Sequence, residues 1–276
     1  MKSRPVLESV ELCKSGPIHT FSWTIVGVCH GCTQSGRPLS ECSVPESGKV
    51  AQNLLQGEKI MEANEVADYA ALGRLLDDSA SFDADVARLL EAGWNTASLR
   101  ERVCSALCKA AFEHSVSQRV LIGAGLNGTA LALIRLHFEA VVRAAWTQKG
   151  ATDKWLEEFA KPVRPGDRNE PQLGPPIPAM LDTIALKEPA MASEFHKLYA
   201  TAKVMHSFVH GGAHQVVAAL RGYEPGKLVS VMKNRNLITL NLCNVTVAGS
   251  GRPELQGTVG RLSRTHAGCM PPPAVG

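Results

Sequence analysis

The sequence predicts an all-α fold: a single bundle of about seven to eight helices over residues 61–270, behind a poorly structured N-terminal extension. Three observations predict it. From Met61 onward, apolar residues recur at helical spacing. After residue 60, clusters of β-branched and aromatic residues are nearly absent. The main glycine and proline clusters fall between the periodic stretches. A chain of 276 residues that is 45% hydrophobic and 20% charged is globular in composition, and it is long enough to bury a core.

Residues 1–60 are rich in Gly, Ser, Pro and Cys and show no sustained helical period. FSWTIVGV (21–28) has the composition of a strand. Two readings of this segment stay open: a disordered extension of the native chain, or an upstream addition to a protein that starts near Met61. A first helix is expected at about 63–77 and a second at about 82–92, ended by Gly93. A third, about 97–122, lines up Leu99, Val103, Ala106, Leu107, Ala110 and Ala111. Gly123 and Gly125 break it. The fourth, about 126–148, is apolar on nearly all sides, the pattern of a central buried helix. KWLEEFAK (154–161) makes a short helix. Six prolines then make 161–178 a loop or lid. Further helices follow at about 178–187, 190–210, 225–248 and 252–267, with Gly211-Gly212 ending or kinking the second of these. Residues 271–276 are a tail.

Bulk properties narrow the function classes. Net charge is +3 with no Lys/Arg block, which argues against a dedicated nucleic-acid surface. Aromatics at 5% argue against a base-stacking platform. No run of about 18 apolar residues exists, so no membrane span is expected and a cytoplasmic location is the default. The eight cysteines do not read as a disulfide framework. Cys104 and Cys108 share an amphipathic helix and read as reduced, buried and inert.

Two helices carry polar rows where an apolar stripe would be ordinary. Arg135, Glu139 and Arg143 lie on one line of the fourth helix, flanked by Leu131, Ile134, Phe138 and Val142. Charge in such surroundings is costly unless paired or used. The row is either an Arg–Glu–Arg ladder that neutralises itself or a guanidinium held by Glu139 and aimed at an anion, which its fork suits. On the 190–210 helix, Tyr199, Lys203, His206 and His210 fall within about 60° of one another. Histidines there either satisfy neighbouring helix ends or do acid–base work. His206 and His210 could share a divalent ion, zinc foremost, with His214 joining if the chain turns at the glycines. Cys29-His30-Gly31-Cys32 is one C-x-x-C pair, a weak signal for zinc. No Walker A, G-x-G-x-x-G or G-x-S-x-G motif occurs.

The segment SALCKAAFEHSVSQRVLIGAGLNGTALALIRLHFEAVVRAAW, with the later HSFVHGGAHQV, resembles an uncharacterised family of bacterial all-helical proteins. These carry R-x-x-x-E on a small-residue helix and a later H-G-G-x-H stretch. The likeness covers roughly residues 62–270. Such proteins are distantly similar to HEPN-type bundles of abortive-infection and toxin–antitoxin systems. That resemblance implies a helical bundle, pairing as a homodimer, and RNase chemistry through R-x(4–6)-H. The nearest match here is Lys203-x6-His210, with lysine in place of arginine. Arg135 from the neighbouring helix could supply the guanidinium.

Three functions follow as expectations. The first is a regulatory or defence-related binding protein, with a protein or small-anion partner and no cofactor. The second is a HEPN-like, metal-independent RNase in which His210 is the general acid/base and Lys203 and Arg135 stabilise the phosphorane-like charge, with Glu139 and His206 as further candidate site residues. The third is a metal-dependent hydrolase or sensor built on His206, His210 and His214.

Overall fold

A computed structural model describes residues 47–94, 96–162 and 174–272. The chain divides into two units, Met1–Asn53 and Leu54–Gly276, and the cavities described below lie in the second. The described residues are helical, with no strand among them. Ten α-helices follow in order: α1 Ser47–Gly93, α2 Leu99–Gly123, α3 Asn127–Lys149, α4 Asp153–Phe159, α5 Ile177–Ala185, α6 Pro189–Val204, α7 His206–Val209, α8 Ala213–Arg221, α9 Pro225–Ser250 and α10 Gln256–Thr265. The all-α bundle is therefore as expected. None of its described helices is long and apolar enough to cross a membrane.

The sequence explains most boundaries. Ser98 caps α2: its hydroxyl accepts from the Glu101 N–H at 3.2 Å, and the Glu101 carboxylate accepts from the Ser98 N–H at 2.7 Å. Gly125, at φ +75°, turns the chain into α3, a conformation glycine adopts without steric cost. Thr152 caps α4. Prolines 178, 189 and 225 sit in the first turns of α5, α6 and α9, where a missing N–H costs nothing.

Helix α3 is the central element. It packs against α2, α5, α6, α7, α8 and α9, and it buries Ile134, Phe138, Val141, Val142 and Ala145 among others. This agrees with the apolar pattern of 126–148. Phe138 meets Phe195 edge-on at 6.3 Å and stacks on Tyr199 at 6.2 Å. Trp146, Trp155 and Phe159 form a second aromatic group, with centroids 4.8 and 4.6 Å apart in sequence.

Three expectations are corrected. The helices expected at 63–77 and 82–92 are one helix, α1, which begins at Ser47 rather than near Met61. Within the intervening Asp78-Ser79-Ala80-Ser81, Ser79 is fully buried and its hydroxyl accepts from Asn236 Nδ2 at 2.9 Å. The helix expected at 190–210 breaks at Met205 into α6 and α7. There the Gly212 N–H donates to the Ser207 carbonyl at 2.7 Å, and the His214 N–H donates to the Ser207 hydroxyl at 3.0 Å. These bonds turn the chain into α8, a helix absent from the expected set. Helix α8 buries no residue, so no core-facing stripe advertises it.

A polar knot ties α1, α2 and α9. Arg235 of α9 is wholly buried and pairs with Asp83 of α1 at 2.6 Å. Asp83 also takes a bond from Arg119 of α2 at 2.8 Å. Arg235 Nε donates to the Ser115 carbonyl at 3.0 Å, and its Nη1 donates to Asn236 Oδ1 at 2.7 Å. Asn236 in turn donates to the Cys269 carbonyl at 2.9 Å. A buried charge persists only when paired and hydrogen-bonded in this way. Burial still holds the Arg235 guanidinium below its ordinary range, with Asp83 opposing.

Candidate functional site

Helices α3 and α6 and the start of α5 enclose a cavity of about 300 Å³. Arg135, Glu139 and Arg143 line it from α3, Tyr199 and Lys203 from α6, and Pro175 and Pro176 form a wall just before α5. Helical spacing explains the α3 row, since residues four apart lie on one face. Arg135 Nε donates to Glu139 Oε1 at 2.7 Å. Both side chains are only partly exposed, 30% and 23%, so water screens the pair less than it would on an open surface. Desolvation lowers the Arg143 pKa, and the nearby Glu139 carboxylate opposes that shift. The Arg135–Glu139 pair of the ladder therefore forms, and the row also faces a hollow.

Arg135 reaches past Glu139 to His206. Its Nη1 contacts His206 Nδ1 across from α3 to α7. A guanidinium can only donate, so Nδ1 accepts and the ring proton sits on Nε2. Partial desolvation, then the Arg135 charge, then His210 hold the His206 imidazole below its ordinary range. His206 and His210 lie side by side, ring centroids 4.2 Å apart. Both are exposed, and neither lines the cavity. The break at Met205 carries them out along α7 while Tyr199 and Lys203 stay with the cavity.

His214 does not join the other two histidines. It stands on α8 and lines a separate cavity of about 340 Å³ with Phe208 and Tyr223. Among the described residues, no group of three His, Cys, Asp or Glu side chains is placed to hold a metal ion. The His206–His210–His214 ligand set therefore does not assemble, because α8 turns away after the glycine pair. Cys29 and Cys32 lie outside the described residues, as does most of the proline-rich 161–178 stretch.

The family of unknown function DUF6988 matches residues 108–272. The chain belongs to that family. No curated protein and no solved structure matches the chain. Every residue named here as lining the α3–α6 cavity lies within the DUF6988 span, which opens inside α2. Helix α1 and the α2 capping box precede it. The sequence reading found Arg135, Glu139, Arg143, Tyr199 and Lys203, because charge interrupted apolar stripes. It missed the wall formed by Pro175 and Pro176. No local signal marks a proline as cavity-lining, because that depends on where α5 docks.

Proposed function

We propose that this protein is a binding protein whose α3–α6 cavity takes a small organic anion. The observation that carries this reading is the lining: Arg135, Arg143 and Lys203 surround one carboxylate, Glu139, beside the Tyr199 ring and a proline wall. The excess of cations suits a carboxylate or phosphate, for which arginine offers a forked set of donors. The ring and prolines suit an apolar body attached to it, as in ordinary ligand sites. The wider role is regulatory, in a defence setting, as the likeness to defence-associated bundles implies.

Calorimetric titration at low salt with phenyl phosphate and with inorganic phosphate tests the reading. Phenyl phosphate should bind more tightly. Arg143→Gln should weaken it by about 1.5–3 kcal/mol, the worth of one charged hydrogen bond, or roughly 10- to 150-fold. Lys203→Gln should weaken both probes. Absence of saturable binding, or equal affinity in wild type and both variants, would overturn the assignment.

One contact favours a second reading. Arg135 touching His206, with the His210 ring tilted beside it, is the pairing of guanidinium and imidazole that metal-independent RNA cleavage uses. Here the guanidinium comes from α3 instead of from the histidine's own helix. RNA incubated in EDTA should be cut by wild type and not by His210→Ala. Equal cutting by both, or none by either, would remove this alternative.

A further inference from the structure

The bundle has a further hollow, at the C-terminal end of α3, which the anion site does not use. It measures about 210 Å³ and is lined by Cys104 and Cys108 of α2, Gln148 and Lys149 of α3, and Thr246 and Gly249 of α9, among others. The two cysteines stand four residues apart, so their side chains share one helix face. Both are reduced and buried. Buried cysteines are ordinarily inert hydrophobes, and Cys243 fits that description: burial pushes its thiol up to about 12.

Cys104 differs. Gln148 Nε2 donates to its Sγ at 3.0 Å while also donating to the Val245 carbonyl at 2.9 Å, which fixes the amide in place. The Cys104 thiol itself donates to the Ala144 carbonyl at 3.6 Å, and the Cys108 thiol bonds to Cys104. That bond, opposed by burial and reinforced by Gln148, holds the Cys104 thiol below its ordinary range. The same bond, together with burial, drives Cys108 well upward, so it stays protonated. The two thiols thus shift in opposite directions, Cys104 downward and Cys108 upward. Among charged groups, Arg100 and Glu101 of α2 and Lys149 of α3 line the hollow. Arg100 is committed to Asp153 at 2.7 Å and Lys149 to Glu188 at 2.7 Å.

We propose that Cys104 is an oxidant-reactive thiol that accepts a small hydroperoxide in this hollow and is converted to a sulfenic acid. Only a small neutral oxidant suits a sulfur whose residue is 5% exposed. The Cys104 thiolate attacks one peroxide oxygen; an S–O bond forms and the O–O bond breaks. The departing oxygen takes up the proton that the thiol gave, and leaves as water or an alcohol. The sulfur loses two electrons and the peroxide gains them. Cys108 and Gln148 are positioning residues that stabilise the thiolate before attack.

The native full chain, fully reduced, is treated with dilute hydrogen peroxide in the presence of dimedone, and each cysteine peptide is followed by mass spectrometry. Cys104 should carry the adduct at least about tenfold faster than Cys108, Cys243 or Cys269, because only a thiolate reacts. Labelling of Cys104 no faster than Cys243, or only after unfolding, overturns the proposal. So does labelling by iodoacetamide but not through peroxide, which would make Cys104 a site for carbon electrophiles instead. In folded Cys108→Ala and Gln148→Leu, the pH midpoint of Cys104 labelling should rise, and Cys108→Ser should restore it. An unmoved midpoint in both variants overturns the donor assignment.

Discussion

Asp83→Ala lowers stability by about 3–5 kcal/mol, the usual cost of leaving a buried charge without its partner. Among the described residues, Arg235 is the largest fully buried side chain, and Asp83 is the carboxylate it pairs with, at 2.6 Å. Without that carboxylate, the Arg235 and Arg119 guanidiniums converge on a site with no anion. Arg119 is 23% exposed and can turn toward water; Arg235 cannot. Urea unfolding followed by circular dichroism reads the loss. Asp83→Leu combined with Arg235→Met should regain most of it, because an apolar pair needs no solvation. A loss under about 1 kcal/mol for Asp83→Ala would mean that the pair is solvated in solution and that the knot does not hold α1 to α9.

Phe138→Ala should cost about 3–5 kcal/mol, the range for deleting a buried aromatic ring. The ring is 1% exposed and lies between Phe195 and Tyr199. Its neighbours sit on another helix, α6, so collapse around the void requires α6 to move against α3. That motion is resisted where α5 also packs on both helices. The same ring lines the anion cavity beside Glu139. The variant should therefore also loosen phenyl phosphate binding, whereas Arg143→Gln should loosen binding with little change in unfolding midpoint. If Phe138→Ala leaves both quantities within error of wild type, the ring is not part of the α3–α6 contact.

These two cases also show where sequence reasoning reaches and where it stops. Arg135 and Glu139 are legible because four-residue spacing is a local property of a helix. Their charges stand out against Leu131, Ile134 and Val142. Arg235, the most buried charge among the described residues, gave no such signal. It follows Lys233-Asn234 and precedes Asn236, a context that reads as a solvated face. Only the approach of Asp83, 152 positions earlier in the chain, makes it interior. Ser79 likewise carries no local sign of burial: its partner, Asn236, is on α9. Cys104 reads as an inert core thiol until Gln148 of α3 is seen to point at it.

The sequence by itself determined that this chain is a helical bundle, that α3 is its centre, and that a charged row on α3 accompanies a second on the 190–210 stretch. Those are consequences of periodicity, which is written within one or two turns of helix. Tertiary structure alone decided that Arg143, Tyr199 and Lys203 share a hollow, that Arg135 meets His206, and that His214 goes elsewhere. Each of these depends on a helix ending or turning at one residue, Met205 or Gly212, and a helix end is set by the bonds that its neighbours offer to the freed backbone groups.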